Sequence, residues 1–106
     1  MAPQSISVTV HDDHAIVALE GEHEAYTADK LARHLRGLMD EAVGVTVDLG
    51  RATFVDSTVV GVLIAAQRRA EVGGLPFTLQ LSEETGWPVR RLLEVTALAA
   101  HFDVVG

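Results

Sequence analysis

Apolar and polar side chains alternate from residue 6 to residue 11, with Ile6, Val8 and Val10 set against Ser7, Thr9 and His11, and more loosely over residues 14–20. A period of two sends successive side chains to opposite faces of a strand, and Asp12-Asp13 between the runs is turn chemistry. The two runs therefore predict a β-hairpin. Gly21 ends the second strand, and residues 22–26 form a loop. Beyond it the period changes. Leu31, Leu35, Leu38 and Ala42 recur at four, three and four residues, while Lys30, Arg33, Arg36 and Asp40 lie off that stripe. This is the pattern of an amphipathic helix, with Thr27 as cap, Asp29 in its first turn, an end near Ala42 and Gly44 as the stop.

A β-branched run follows at Val45, Thr46 and Val47, predicting a strand over residues 45–49 that breaks at Gly50. After a connection over residues 51–55, the chain restarts at Asp56-Ser57-Thr58 as an apolar segment too long and too Ala-rich for a strand. That segment is read as a helix. One stripe of it holds Val59, Leu63, Ala66 and Ala70, and another holds Val60, Gly61, Ile64 and Ala65. The phase between them is open. Gly73-Gly74-Leu75-Pro76 marks a turn, residues 77–81 alternate as a strand, Pro88 opens a helix to about residue 95, and residues 102–105 form a last short strand. The order is β-β-α-β-α-β-α-β. After the hairpin, strands alternate with helices, which predicts an α/β fold with mostly parallel pairing through right-handed crossovers.

Composition narrows the function classes. A chain of 106 residues, 48% apolar and 22% charged, is one domain (residues 1–106) with room for a single core, which Val, Leu, Ile and Ala must build because only 5% is aromatic. Its net charge of -7 opposes binding to nucleic acid or anionic lipid and favours a protein partner. Cysteine is absent, which excludes disulfides and thiolate metal sites. No apolar run approaches a membrane span, and residues 1–4 lack a secretory signal pattern, so a cytoplasmic protein is expected.

Little in the sequence points to catalysis. Ser57 lacks the Gly-x-Ser-x-Gly frame of a nucleophile elbow, and none of the five His residues is tied to it by sequence. Gly73-Gly74 ends a helix instead of opening one, so it is no phosphate loop. His11 and His14 flank the hairpin tip, where charge is ordinarily solvated, and His23 and His34 take loop and helix-surface roles. No metal or cofactor is expected. Glu83 and Glu84 are consecutive loop carboxylates. Small polar residues at a helix start satisfy free backbone N–H groups, so Asp56-Ser57-Thr58 is first a cap. The helix behind it is apolar almost all round, however, and only one side can face a sheet. The remainder is available to a partner.

Asp56-Ser57-Thr58-Val59-Val60-Gly61-Val62-Leu63 resembles the Asp-Ser-Ser/Thr-Gly-Leu-Gly-Val-Leu segment of STAS domains, the bacterial anti-sigma factor antagonists. Leu19-Glu20-Gly21-Glu22-His23-Glu24 is similar to the family's Leu-x-Gly-Glu-Leu-Asp, and residues 87–98, beginning Trp87-Pro88-Val89, are similar to its late helix and following loop. The resemblance implies a single STAS-like domain, a mixed sheet of about five strands with helices mainly on one face. It also implies a non-enzymatic role: binding a serine-kinase anti-sigma factor when unphosphorylated, freeing a sigma factor, and being switched off by phosphorylation at Ser57, with Thr58 as the alternative. Glu24, Asp56, Ser57, Thr58, Val59, Val60, Gly61 and Ile64 are the expected partner-binding residues. Val59 stands where the family usually has Gly, and Glu24 where it usually has Asp. A STAS adaptor that is never phosphorylated, a structural subunit of a signalling scaffold or a lipid-transport complex, is the other reading. STAS domains often add a helix after the last strand, and the sequence, ending at Gly106, is expected to lack it.

Overall fold

The computed structural model describes residues 4–95 and 102–106. β1 (Ser5–His11) and β2 (His14–His23) pair antiparallel, Val8 opposite Val17 and His11 opposite His14. Asp12 sits at the turn with φ 56°, a left-handed conformation that Asp tolerates better than most residues. β3 (Gly44–Val55), β4 (Phe77–Gln80) and β5 (Asp103–Val105) then add in parallel, giving one five-stranded sheet in the order β1-β2-β3-β4-β5. The helices α1 (Ala25–Asp40), α2 (Ser57–Gly73) and α3 (Trp87–Val95) connect these parallel strands in turn. The expected α/β order and the mixed five-stranded sheet are both observed.

Alternation decides where the core lies. Ala15, Val17 and Leu19 of β2, Val45, Val47 and Leu49 of β3, and Leu79 of β4 are buried, and against them pack Ala28, Leu31 and Leu35 of α1 with Val59, Leu63 and Ala70 of α2. Each such Val or Leu contributes on the order of 1.5–3 kcal/mol by leaving water. The opposite face of the sheet carries Ser7, Thr9, Thr46, Asp48 and Gln80.

Four boundaries differ from the sequence reading by two residues or more. α1 begins two residues before Thr27, with Glu24 as its extended N-cap, because Thr27 spends its hydroxyl on the Glu24 carbonyl at 3.0 Å instead of capping. It stops at Asp40: Ala42 has φ 58°, and Gly44 is already the first residue of β3. β2 continues past Gly21 (φ 80°) to His23, and β3 continues past Gly50 to Val55. These two extensions create each other. Glu20 pairs with Arg51, Gly21 with Ala52, Glu22 with Phe54 and His23 with Val55, across register shifts that local sequence does not announce.

The other edge of this second half of β3 is held without a strand. The Ser82 hydroxyl donates to the Gly50 carbonyl at 2.8 Å, the Thr85 hydroxyl to the Leu49 carbonyl at 3.0 Å, and the Gly86 N–H to the Ala52 carbonyl at 2.9 Å. α2 keeps its expected start and ends at Gly74, whose φ of 69° makes it a left-handed C-cap. Residues 96–98, the tail of the third matching segment, lie outside the described residues. Among the described residues no helix is long and apolar enough to cross a membrane.

Candidate functional site

β2 and β3 are parallel neighbours whose last residues, His23 and Val55, are register partners. Each runs straight into a helix, so the two N-caps, Glu24 of α1 and Asp56 of α2, follow side by side at one end of the sheet. The backbones are tied there: Asp56 N–H donates to the His23 carbonyl at 3.2 Å. Glu24 and the Asp-Ser-Thr segment, thirty-odd residues apart in sequence, are therefore brought to one place by strand register.

The two caps are built differently. Asp56 Oδ1 accepts from Val59 N–H at 3.0 Å, and its carbonyl accepts from Val60 N–H at 3.1 Å. That carboxylate is committed to the helix. Glu24 makes no side-chain cap; its carbonyl accepts from the N–H groups of Thr27 (3.0 Å) and Ala28 (3.2 Å), and its exposed carboxylate has no partner among the described residues. Ser57 and Thr58, the first two residues of α2, are exposed, and neither hydroxyl has a hydrogen-bond partner among the described residues. Such a hydroxyl at a helix start, beside free N–H groups and the positive end of the dipole, is well placed to carry an anionic group.

The phase of α2 corrects part of the expected partner surface. Val59 is fully buried and Val60 nearly so, packed in the core between helix and sheet, so neither side chain is available to a partner. Gly61 is exposed and Ile64 half-buried. His23 is a second correction. Its ring is buried, Nε2–H donating to the Glu20 carbonyl at 2.9 Å and Nδ1 lying 3.3 Å from Thr27 Oγ1, so it is a structural bolt under the junction of β2 and α1 and not a loop residue. His14 likewise has a protein partner, Thr46 Oγ1, at 2.8 Å. Among the described residues no group of three or more metal-ligating side chains converges.

Pattern reading missed the aromatic residues at this end. Tyr26 in the first turn of α1, Phe54 near the end of β3 and Trp87 at the start of α3 are exposed, at 75%, 37% and 70%. The other two aromatics, Phe77 and Phe102, pack on one another in the core with ring centroids 6.2 Å apart. Trp87 belongs to the same end because Gly86 seats α3 against Thr53 of β3. Exposed Trp and Tyr are enriched among the residues that anchor protein interfaces. The only signal in the sequence was their rarity.

A family model described as Mlab, STAS domain matches residues 6–105. Among solved structures, the chain is similar to an anti-sigma factor antagonist from Mycobacterium paratuberculosis, with 20% identity, TM-score 0.79, and coverage of 97% of this chain and 86% of that one. A putative anti-sigma factor antagonist from Thermotoga maritima gives 17% identity, TM-score 0.83, and coverage of 95% and 86%. The Bacillus cell fate determinant SpoIIAA in its phosphorylated form gives 17% identity, TM-score 0.73, and coverage of 96% and 92%. At these identities the structural likeness establishes the fold.

Proposed function

The chain belongs to the STAS family, and from that premise we propose that it is an anti-sigma factor antagonist that binds a serine-kinase anti-sigma factor while unphosphorylated, frees a sigma factor, and loses its partner once Ser57 is phosphorylated. The observation that carries this reading is the position of Ser57: exposed, unbonded, first in α2, and directly after an Asp56 whose carboxylate is already spent on the cap. In this reading the chain is a kinase substrate and no catalyst, and it acts in the cytoplasm.

Phosphorylation adds about -1.5 to -2 charges and three acceptor oxygens at a helix N-terminus, which tolerates them, so the fold is retained. The partner interface is what fails. Ser57 has no Lys or Arg adjacent in sequence, Asp56 precedes it, and Glu24 caps the neighbouring helix, so the phosphate would be desolvated among negative groups beside the exposed aromatics. With Val59 and Val60 buried, Tyr26, Phe54, Trp87, Thr58 and Gly61 take their place as the contact surface. A cost of about 3 to 4 kcal/mol lowers affinity several-hundred-fold.

Incubating the protein with ATP and extract of its source cell, then measuring intact mass and fragment spectra, tests the reading. One added phosphate on Ser57, absent from Ser57→Ala, is expected. Phosphate on Thr58 alone would move the switch by one residue. No phosphate at all, with partners captured equally by wild type and Ser57→Asp, would establish instead the adaptor, which the Val59 and Glu24 departures from the family pattern favour.

A further inference from the structure

α1 and α2 pack side by side and leave between them an apolar groove of about 430 Å³, lined by half-buried Ala32 of α1 and by Gly61, Val62 and Ala65 of α2, with Leu35 and Met39 buried beneath it. It begins at Thr58 and ends at Arg69, a run of α2 that spans roughly 17 Å at a rise of about 1.5 Å per residue. Gly61 sits in this wall although the fold does not require it, since a Cβ built there meets nothing within 4 Å. A mid-helix Gly costs about 0.5–1 kcal/mol relative to Ala. What it provides is width in the wall of the groove.

The charge around the groove runs against the rest of the molecule. α1 and α2 hold five of the eight Lys and Arg residues (Lys30, Arg33, Arg36, Arg68, Arg69) but only three of the fifteen Asp and Glu residues (Asp29, Asp40, Glu71). These helices thus carry +2, against -9 for the remainder of a chain whose net charge is -7. Arg36 lines the groove, and Arg33 stands one turn before it on α1, with Asp29 lining a shallow pocket beside both; among the described residues neither arginine makes an ion pair, whereas Arg69 is held by Asp40.

We propose that the α1–α2 groove is a second docking surface, which receives an amphipathic α-helix of a partner protein with its apolar stripe on Ala32, Val62 and Ala65 and its acidic side chains against Arg36 and Arg33. The groove is about three helical turns long and open along its length, the shape in which one face of a helix is buried. A small ligand needs walls on most of its surface, which this groove does not supply. A second copy of the chain would bring the same cations face to face, which like-charge repulsion opposes. Ser57 does not line the groove, whereas Thr58 and Gly61 belong both to it and to the contact surface proposed above, so the variants tested are ones that lie in the groove alone.

The test uses the full chain and two synthetic helical peptides of three to four turns, both with Leu at i, i+3, i+4 and i+7, one flanked by Glu and the other by Lys. The Glu peptide is expected to bind and the Lys peptide not. Ala65→Trp, which fills the groove from an exposed position, should weaken binding roughly tenfold or more. Arg36→Glu should transfer the preference to the Lys peptide, and circular dichroism should report all variants folded. Equal binding of the two peptides, indifference to Ala65→Trp, or displacement of the peptide by phosphatidylglycerol vesicles would overturn the assignment. Peptide binding unchanged by Ser57→Asp, in a protein that no kinase modifies, would leave the groove standing and remove the phosphorylation switch.

Discussion

The two halves of β3 obey different rules. Residues 44–48 lie between two parallel strands, β2 and β4, and every second side chain enters the core: Val45 and Val47 are fully buried, Thr46 and Asp48 half-exposed on the other face. Among the described residues, residues 49–55 have a strand on one edge only. Their other edge is satisfied by Ser82, Thr85 and Gly86, and their sequence, Leu-Gly-Arg-Ala-Thr-Phe-Val, shows no period. The first half is stabilised by burial and the second by specific hydrogen bonds and one close approach. The second half also aims the candidate site, because Asp56 and Ser57 are its continuation.

Substitutions separate these two kinds of support. Gly86→Val should have the largest effect, since a Cβ there would lie 2.5 Å from the Thr53 carbonyl oxygen and 2.8 Å from its Cα, all backbone that cannot step aside. A loss of about 3 kcal/mol is expected in urea unfolding; an unchanged midpoint would show that the second half yields without cost. Val47→Ala comes next, at about 2 kcal/mol for two buried methyl groups and the cavity they leave. Amide exchange should then rise across the whole sheet, and a rise confined to residues 51–55 would contradict the division.

Thr85→Val keeps the shape and removes the hydroxyl, stranding the Leu49 carbonyl and the Ser82 N–H, which donates to it at 2.9 Å. About 1 to 2 kcal/mol should be lost. Here exchange should rise at residues 50–54 while residues 45–48 stay protected, and uniform loosening would merge the two halves into one. Asp56→Ala should cost least, about 1 kcal/mol for a lost cap. Its signature is fraying of the first turn of α2, read as faster exchange at Val59 N–H, and protection at that amide equal to wild type would show that the carboxylate does not act as the cap.

The candidate site divides along the same line. Asp56 as cap and Ser57-Thr58 as a helix start were legible, because capping is chemistry between residues three apart. That Glu24 stands beside them was implied by resemblance alone and is realised through the pairing of His23 with Val55. The burial of Val59 and Val60 was not legible: in a helix apolar almost all round, no hydrophobic period picks the inward face, and the sheet selects it.

By itself the sequence determined the element order, the hairpin, the parallel sheet and the helix starting at Ser57, since alternation, helical period and caps are all interactions within a few residues. Only the tertiary structure decided that β2 and β3 run on through Gly21 and Gly50 to end together, and that Tyr26, Phe54 and Trp87 are exposed at that end. It also opened the cationic groove between α1 and α2. The physical reason is distance along the chain. The partners that order residues 49–55 are Glu20 to His23 on one side and Ser82 to Gly86 on the other, roughly thirty residues away in each direction, and backbone hydrogen bonds between segments so far apart leave no period in either one.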